Sequence, residues 1–436
     1  MVELRKPHER RARPKPIARP GVSRETGLRE VGHAAMIGRT KGGTVRAREL
    51  GLQIGLLEPG PGDAITDVPG VLVGHTTLID GDGPLVVGTG PVRTGVTVVV
   101  PHDDHVWTEP VFAGCHRLNG NGELTGLEWI RESGQLGGVI GITNTHSVGV
   151  VRDALVRHAA AEHATHAAFW SLPVVGETYD GALNDINGFH VTAAHVDAAI
   201  AAASGGPVAE GNVGGGTGMI CHEFKGGIGT ASRRLGDADG AWTVGALVQA
   251  NYGDRELLRV DGVPVGSAIP RTDVPSPWDE WARLDPAAAT DPVIHSARSG
   301  AGGGSIIVIL ATDAPLLPNQ CERVAQRASL GVARMGSIAS NGSGDLFLAF
   351  ATGNRGLGRI TTERDPRLTV GAQVLVDRAI TPLFQAAVEA VEGAVVNALL
   401  AAETMTGRDG ITAYAIDHDR LLDIMARYGR GPRAPS

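Results

Sequence analysis

Lysine is nearly absent from this sequence. Among 39 Lys and Arg residues in a chain of 436, only Lys6, Lys15, Lys41 and Lys225 are lysine. No GxxxxGK[ST] occurs, which excludes a P-loop. A Schiff-base mechanism would have to use Lys225. Cysteine is as rare, with Cys115, Cys221 and Cys321 only. They are odd in number, far apart and without CxxC spacing. That excludes a disulfide framework or a cysteine zinc site and predicts reduced, buried thiols in a cytoplasmic protein. Aromatics make up 4%, so the core must be built from small residues in close layers. The formal charge is −8, which argues against nucleic acid as a main partner. No apolar run reads as a membrane span, so no membrane is expected.

Glycine is what the chain has in excess, 62 residues, beside 42% hydrophobic and 20% charged residues. This is a globular composition, enough for one large domain or two ordinary ones. Residues 1–48 are rich in Arg and Pro and read as a disordered basic arm. They lack an apolar h-region, so Arg10-Arg11 does not mark a secretory signal. Residues 49–436 read as a single domain, with folded sequence from about Gly62. Strands are expected at 65–75, 94–101, 137–145, 174–179, 242–251, 345–351 and 411–416. Helices are expected at 147–166, 195–204, 317–334, 380–406 and 417–428. Alternating strands and helices indicate an α/β or layered α+β domain. Residues 254–299, with several prolines, read as a loop that packs no core.

The stretch that organises the rest is Ser299-Gly300-Ala301-Gly302-Gly303-Gly304-Ser305, followed by the apolar run Ile306 to Ala311. The run reads as a buried strand. Ser305 is then either an ordinary first residue of a strand or a nucleophile on a rigid element beside a cleavable loop. Cleavage of Gly304–Ser305 would give Ser305 a free α-amine next to its own hydroxyl, pairing nucleophile and base.

Other chemistry is weaker residue by residue. Ser343 and Asp345 are two apart before a strand and share a side; Ser-Gly-Asp there is also an ordinary turn. Glu177 and Tyr179 form a similar pair at a strand end, where a carboxylate binds a cation and a phenol donates to an oxyanion. Asn251 ends a strand, and its amide NH2 is a possible oxyanion donor. His158, Glu162 and His166 share a helical face with His163 nearby, but match neither HExxH nor HxxEH. An exposed polar face is the plainer reading. His102-Asp103-Asp104-His105 reads as a loop. Asn212 to Gly218 looks like a dinucleotide loop but has Met219 where GxGxxG needs its third glycine. None of these patterns calls for a metal or cofactor.

Together the stretches 66–75, 119–126, 143–150, 173–187, 210–219, 245–253, 304–320 and 340–350 resemble the L-aminopeptidase/D-amidase-esterase family, which includes the β-peptidyl aminopeptidases. The GlySerIleIleVal…AlaThrAspAlaProLeu block is the most specific. The resemblance implies a four-layer αββα sandwich whose connectivity differs from that of the N-terminal-nucleophile hydrolases. It implies self-cleavage into 1–304 and 305–436. Ser305 would be the nucleophile, with Ser343 and Asp345 as its partners. Asn251 and Tyr179 would serve the oxyanion, and Glu177 would hold the free amine of a small peptide or amino-acid amide. It further implies a homo-oligomer, a tetramer of cleaved protomers. Some members carry Glu in place of Asp345, which leaves the partner of the shorter carboxylate open. The arm and the 254–299 loop have no clear counterpart, and the loop is expected to border the substrate entrance. The competing readings are an acyltransferase of the ornithine acetyltransferase type, whose cleavage residue is Thr where this chain has Ser305, and a non-catalytic binding protein of the same fold.

Overall fold

The computed structural model describes residues 45–165, 168–285, 303–358 and 367–432. In chain order the elements are β1 (Leu72–Asp80), β2 (Val92–Val100), β3 (Val111–Arg117), α1 (Leu127–Ser133), β4 (Gln135–Leu136), β5 (Ile140–Asn144), α2 (Val148–Glu162), β6 (Val174–Thr178) and α3 (Ala193–Ala201). A tight hairpin of β7 (Ile220–Cys221) and β8 (Phe224–Lys225) follows, then β9 (Gly227–Arg234), β10 (Thr243–Asn251) and α4 (Pro277–Leu284). The last part holds β11 (Gly303–Thr312), α5 (Pro318–Arg334), β12 (Gly342–Ala351), α6 (Thr381–Leu400), the pair β13 (Met405–Thr406) and β14 (Thr412–Ala413), and α7 (His418–Arg427).

Two main sheets result, one ordered β1-β2-β5-β6 and one ordered β4-β3-β12-β11-β10-β9. Their side chains sort by the period of two that strands impose. On β11, Ile306, Val308 and Leu310 join the core under α5 and α6, whereas Ile307, Ile309 and Ala311 join the core between the sheets. The other face of the smaller sheet, with Val96, Val98 and Val175, is covered by Val148, Val151 and Leu155 of α2 and Val196 and Ala199 of α3. The layers are therefore α2/α3, four-stranded sheet, six-stranded sheet, α5/α6: the αββα sandwich expected.

Helix α6 is buried nearly all round from Ala386 on; its Ala, Val and Gly pack the core, and its Glu389, Glu392 and Asn397 are buried with polar partners. The segment Asp377–Leu400, contrary to the sequence expectation, is long and apolar enough to cross a membrane, but 89% of its most apolar window is buried in the fold. It ends at Leu400, short of the expected 406.

Three expectations are corrected. The fold does not begin near Gly62: Leu52 and Ile54 are core residues. The end of the basic arm is also part of it. Arg46 is buried and donates to the carbonyls of Gly62, Asp63 and Thr230, with its Nε 2.7 Å from Glu210. Residues 1–44 lie outside the described residues. The loop from Asp254 does pack a core, through Leu258, Val260, Val263, Val265 and Ile269, before forming α4; its remainder from 286 lies outside the described residues. The signal missed there was Arg255. Fully buried, it donates to the carbonyls of His222, Glu223, Ile269 and Val274 and stacks 3.9 Å from the Phe224 ring centroid. One guanidinium thus solvates the backbone of a loop too polar to fold by burial alone.

Arg255→Leu leaves those four carbonyls without their donor. An unpaired buried acceptor costs about 1–3 kcal/mol, so a loss of at least about 3 kcal/mol is expected in urea unfolding. An unchanged midpoint would show that the loop does not depend on Arg255.

Candidate active site

Ser305 opens β11 between two partners. It lies opposite Asn251 of antiparallel β10 and beside Gly344 of parallel β12. By strand alternation Ser305 and Asn251 both face the gap between the sheets, as Ile307 and Leu247 do. Directly opposed residues on one face have Cβ atoms about 4.5–5.5 Å apart, so the register itself joins hydroxyl and amide. Both residues are buried. The Gly344 N–H donates to Ser305 Oγ at 3.1 Å. Asn251 Oδ1 accepts the Ile220 N–H at 2.8 Å, which fixes which end of the amide is oxygen and leaves its NH2 to donate.

The bond before Ser305 is constrained. Gly304 has φ +122°, and a Cβ added there would stand 2.1 Å from the Asn251 carbonyl oxygen. Only glycine fits this close approach in that conformation.

Ser343 and Asp345 face the other way, toward the helices, on the side of Phe347 and Ala349. Ser343 Oγ donates to Asp345 Oδ1 at 2.6 Å, and Asn119 Nδ2 lies 3.4 Å from Oδ2. The shorter carboxylate thus reaches its serine. Burial holds the Asp345 pKa above the ordinary aspartate range, opposed by hydrogen bonds from Ser343, Asn119 and the Ile306 backbone. The pair lies across the β11 backbone from the Ser305 hydroxyl, with Ser343 in register with Gly304. The backbone nitrogen that Asp345 meets is that of Ile306, its register partner on β11. A narrow cleft lined by Tyr252, Gly253, Asp254, Leu257, Ile338 and Ser340 runs up to Ser343, which places Asp254 and Leu257, at the start of the loop, beside that serine.

Glu177 reaches the site from the smaller sheet. Its carboxylate accepts the Glu123 N–H at 2.9 Å and the Thr145 hydroxyl at 2.5 Å. Gly122 is wedged between it and β12: a Cβ there would stand 2.9 Å from Glu177 Oε1 and 3.3 Å from Gly344 Cα. Burial raises the Glu177 pKa, against the two hydrogen bonds. Tyr179 folds its hydroxyl over Gly181, and its place at the oxyanion rests on the resemblance.

Elsewhere the plain readings hold. His158 pairs with Glu162 and Asp197, while His163 is buried against Trp107 and Phe169; His166 lies outside the described residues. The one group among the described residues with metal-like spacing is His102, Asp103 and Asp104, and Arg355 already supplies a cation 2.6 Å from Asp104. The Gly214–Gly216 turn is a plug between the sheets, where a Cβ on Gly215 would stand 2.1 Å from Gln249 Oε1. Sequence reasoning missed Gly344 and Gly122, which serve through a backbone N–H and through spacing, and Thr145 and Asn119, whose side chains donate to Glu177 and Asp345 from distant loops.

Two outcomes are expected at the Glu177 site. A carboxylate that binds an ammonium must be ionised, and a raised pKa means that the ionised form is lost sooner as pH falls. The acid side of kcat/KM should therefore carry a component above the ordinary glutamate value, and Glu177→Gln should remove that component while leaving any other titration in place. Gly122→Ala should raise KM by crowding the same carboxylate. An acid limb unchanged in Glu177→Gln would assign it to another group.

The comparisons with known proteins follow the same lines. The sequence signature described as Peptidase family S58 matches residues 63–413. A β-peptidyl aminopeptidase, BapA of Sphingosinicella microcystinivorans, is 48% identical over 88% of this chain and 93% of its own length. The solved structure of a Burkholderia sp. β-aminopeptidase shares 52% identity and a TM-score of 0.79, covering 90% of this chain and all of that one. An L-aminopeptidase D-Ala-esterase/amidase from Ochrobactrum anthropi, described as a new variant among the Ntn hydrolase fold, shares 44% identity and a TM-score of 0.77 over 88% of this chain and 99% of that one. With that extent of match along the same sandwich, this chain belongs to peptidase family S58.

Proposed function

We propose that this chain is a self-processing serine aminopeptidase and amidase whose nucleophile is Ser305. The observation that carries the reading is the register of β11, which sets the Ser305 hydroxyl opposite the Asn251 amide and beside the Gly344 N–H. In processing, Ser305 Oγ attacks the Gly304 carbonyl carbon. The C–N bond breaks, an ester replaces it, and the nitrogen becomes the α-amine of Ser305. Water then cleaves the ester and leaves Gly304 with a carboxylate.

The new amine has an ordinary pKa of about 7.7–8.0, so part of it is neutral near pH 7. It takes the Oγ proton as Ser305 attacks a substrate carbonyl, while Ser343 and Asp345 orient it. The Asn251 NH2 stabilises the oxyanion, with Tyr179 as a second donor. Glu177 holds the substrate's free ammonium. The leaving amine departs protonated, and water hydrolyses the acyl-enzyme. Every group in this sequence is a side chain or terminus of the chain. The three buried free thiols support a cytoplasmic enzyme. The homo-oligomer implied by the family is checked by light scattering, where a monomer at micromolar concentration would remove it.

The precursor's own acyl residue is a guide to the substrate's. Gly304 presents its carbonyl to Ser305 with no room for an L side chain on the adjacent carbon. A β-amino acid substituted at its β-carbon also has a bare CH2 next to the carbonyl. This supports a preference for such residues, the class named for the β-peptidyl relatives.

Two measurements test these readings. The purified protein should yield fragments 1–304 and 305–436 on a denaturing gel, with Ser305 as the N-terminus of the smaller. Ser305→Ala should remain one chain; cutting at the same bond in that variant would remove Ser305 from processing. Among p-nitroanilides, β-homoalanyl and glycyl substrates should exceed L-alanyl in kcat/KM, and N-acetylated ones should be inert. A faster L-alanyl substrate would show that the substrate's acyl carbon does not follow Gly304.

A further inference from the structure

The only lysine among the described residues is fully buried. Lys225 Nζ donates to the carbonyls of Gly226 at 2.7 Å, Met219 at 3.0 Å and Gly216 at 3.3 Å. Those three bonds use all three protons of an ammonium, which a neutral amine lacks. Burial pulls the Lys225 pKa down to about 7, opposed by Cys221, while three carbonyl acceptors around Nζ match the protonated form.

The second of these carbonyls belongs to the Met219–Ile220 peptide unit. The N–H of that same unit is the one donated to Asn251 Oδ1 at 2.8 Å. A continuous chain therefore runs from the Lys225 ammonium through one peptide group to the Asn251 amide, and from its NH2 to the oxyanion at Ser305. The Met219 carbonyl also accepts the Gly226 N–H at 2.9 Å, which holds the peptide plane in place across the β7–β8 hairpin. Hydrogen-bonded chains in a low-dielectric interior polarise one another in the same sense. A cation on the carbonyl makes the N–H a stronger donor. That draws density toward Asn251 Oδ1 and makes its NH2 more acidic.

We propose that Lys225 is a positioning residue for the oxyanion donor: through the Met219–Ile220 peptide it fixes the orientation of the Asn251 amide and strengthens its NH2. This rests on the reading of Asn251 as the oxyanion donor. Lys225 itself touches neither substrate nor Ser305 in this scheme.

The test is a double-mutant cycle in fully processed protein. Lys225→Met removes charge and donors, Lys225→Gln keeps donors without the charge, and Ile220→Pro deletes the linking N–H while leaving Lys225 in place. Each is made alone and with Asn251→Ala. Loss of one oxyanion donor lowers kcat about 10²–10³-fold, which bounds the effect from above. Each single variant should lower kcat by about tenfold or more within that bound, with KM nearly unchanged. In the Asn251→Ala background the same changes should cost almost nothing further. If the losses multiply instead, Lys225 supports the fold and not the donor, and the inference is overturned. Should Lys225→Met fail to fold, Lys225→Gln and Ile220→Pro carry the cycle. Wild-type kcat in Asn251→Ala itself would instead overturn the oxyanion reading, a result distinct from multiplying losses.

Discussion

The register of β11 is the constraint on which the site depends. A strand paired antiparallel on one edge and parallel on the other has no freedom to slide. A slip of one residue would turn Ser305 to the helices and bury Ile306 in the gap between the sheets. The two apolar cores, with Ile306, Val308 and Leu310 on one side and Ile307 and Ile309 on the other, fix that register. The geometry around Ser305 is thus held by packing that runs along the strand, and Ser305 sits where that packing ends.

Legibility in the sequence followed the same division. The apolar run after Ser305, the long helix from Thr381 and the strand ending at Asn251 were legible because burial writes itself as composition and period. Spacing left Ser305 and the Ser343–Asp345 pair open between chemistry and ordinary turns, and only the family resemblance gave them roles. What escaped was paid for by backbone. Gly344 serves through its N–H, Gly122 through the absence of a Cβ, and Met219–Ile220 through one peptide plane. None has a side chain to advertise it. The 254–285 loop escaped for a related reason: its core of scattered valines and leucines lacks a period, and its stability draws on one arginine bonded to carbonyls distant in sequence.

The face on which each polar group lies was also beyond the sequence. Ser343 and Asp345 do share a side, as their spacing predicts, but it is the side opposite the Ser305 hydroxyl. Strand parity on two neighbouring strands decides this, and it needs the pairing of Gly304 with Ser343. The consequence is a division of labour across the sheet. The proposed nucleophile and oxyanion donor, Ser305 and Asn251, face the gap between the sheets, and the Ser343–Asp345 pair lies behind, against the backbone of β11.

The buried cations are satisfied in two manners, by carboxylates or by backbone carbonyls, the latter at both Arg255 and Lys225. Far from Ser305, Arg46 and Arg233 meet carboxylates, Glu210 for the first and Asp63 and Glu389 for the second. Those pairs tie the first described residues to β9 and α6 and have no electrostatic duty beyond the fold. Beside the oxyanion donor, Lys225 is solvated by carbonyl dipoles instead. A carboxylate there would bring a net negative charge close to the proposed oxyanion donor. Carbonyls satisfy the protons of the ammonium without bringing a net negative charge. They also turn the cation's field into the orientation of a peptide group, which a point counter-charge cannot do. A chain nearly devoid of lysine has one among its described residues, where an ammonium with three carbonyl acceptors is tied to the Asn251 amide through one peptide group.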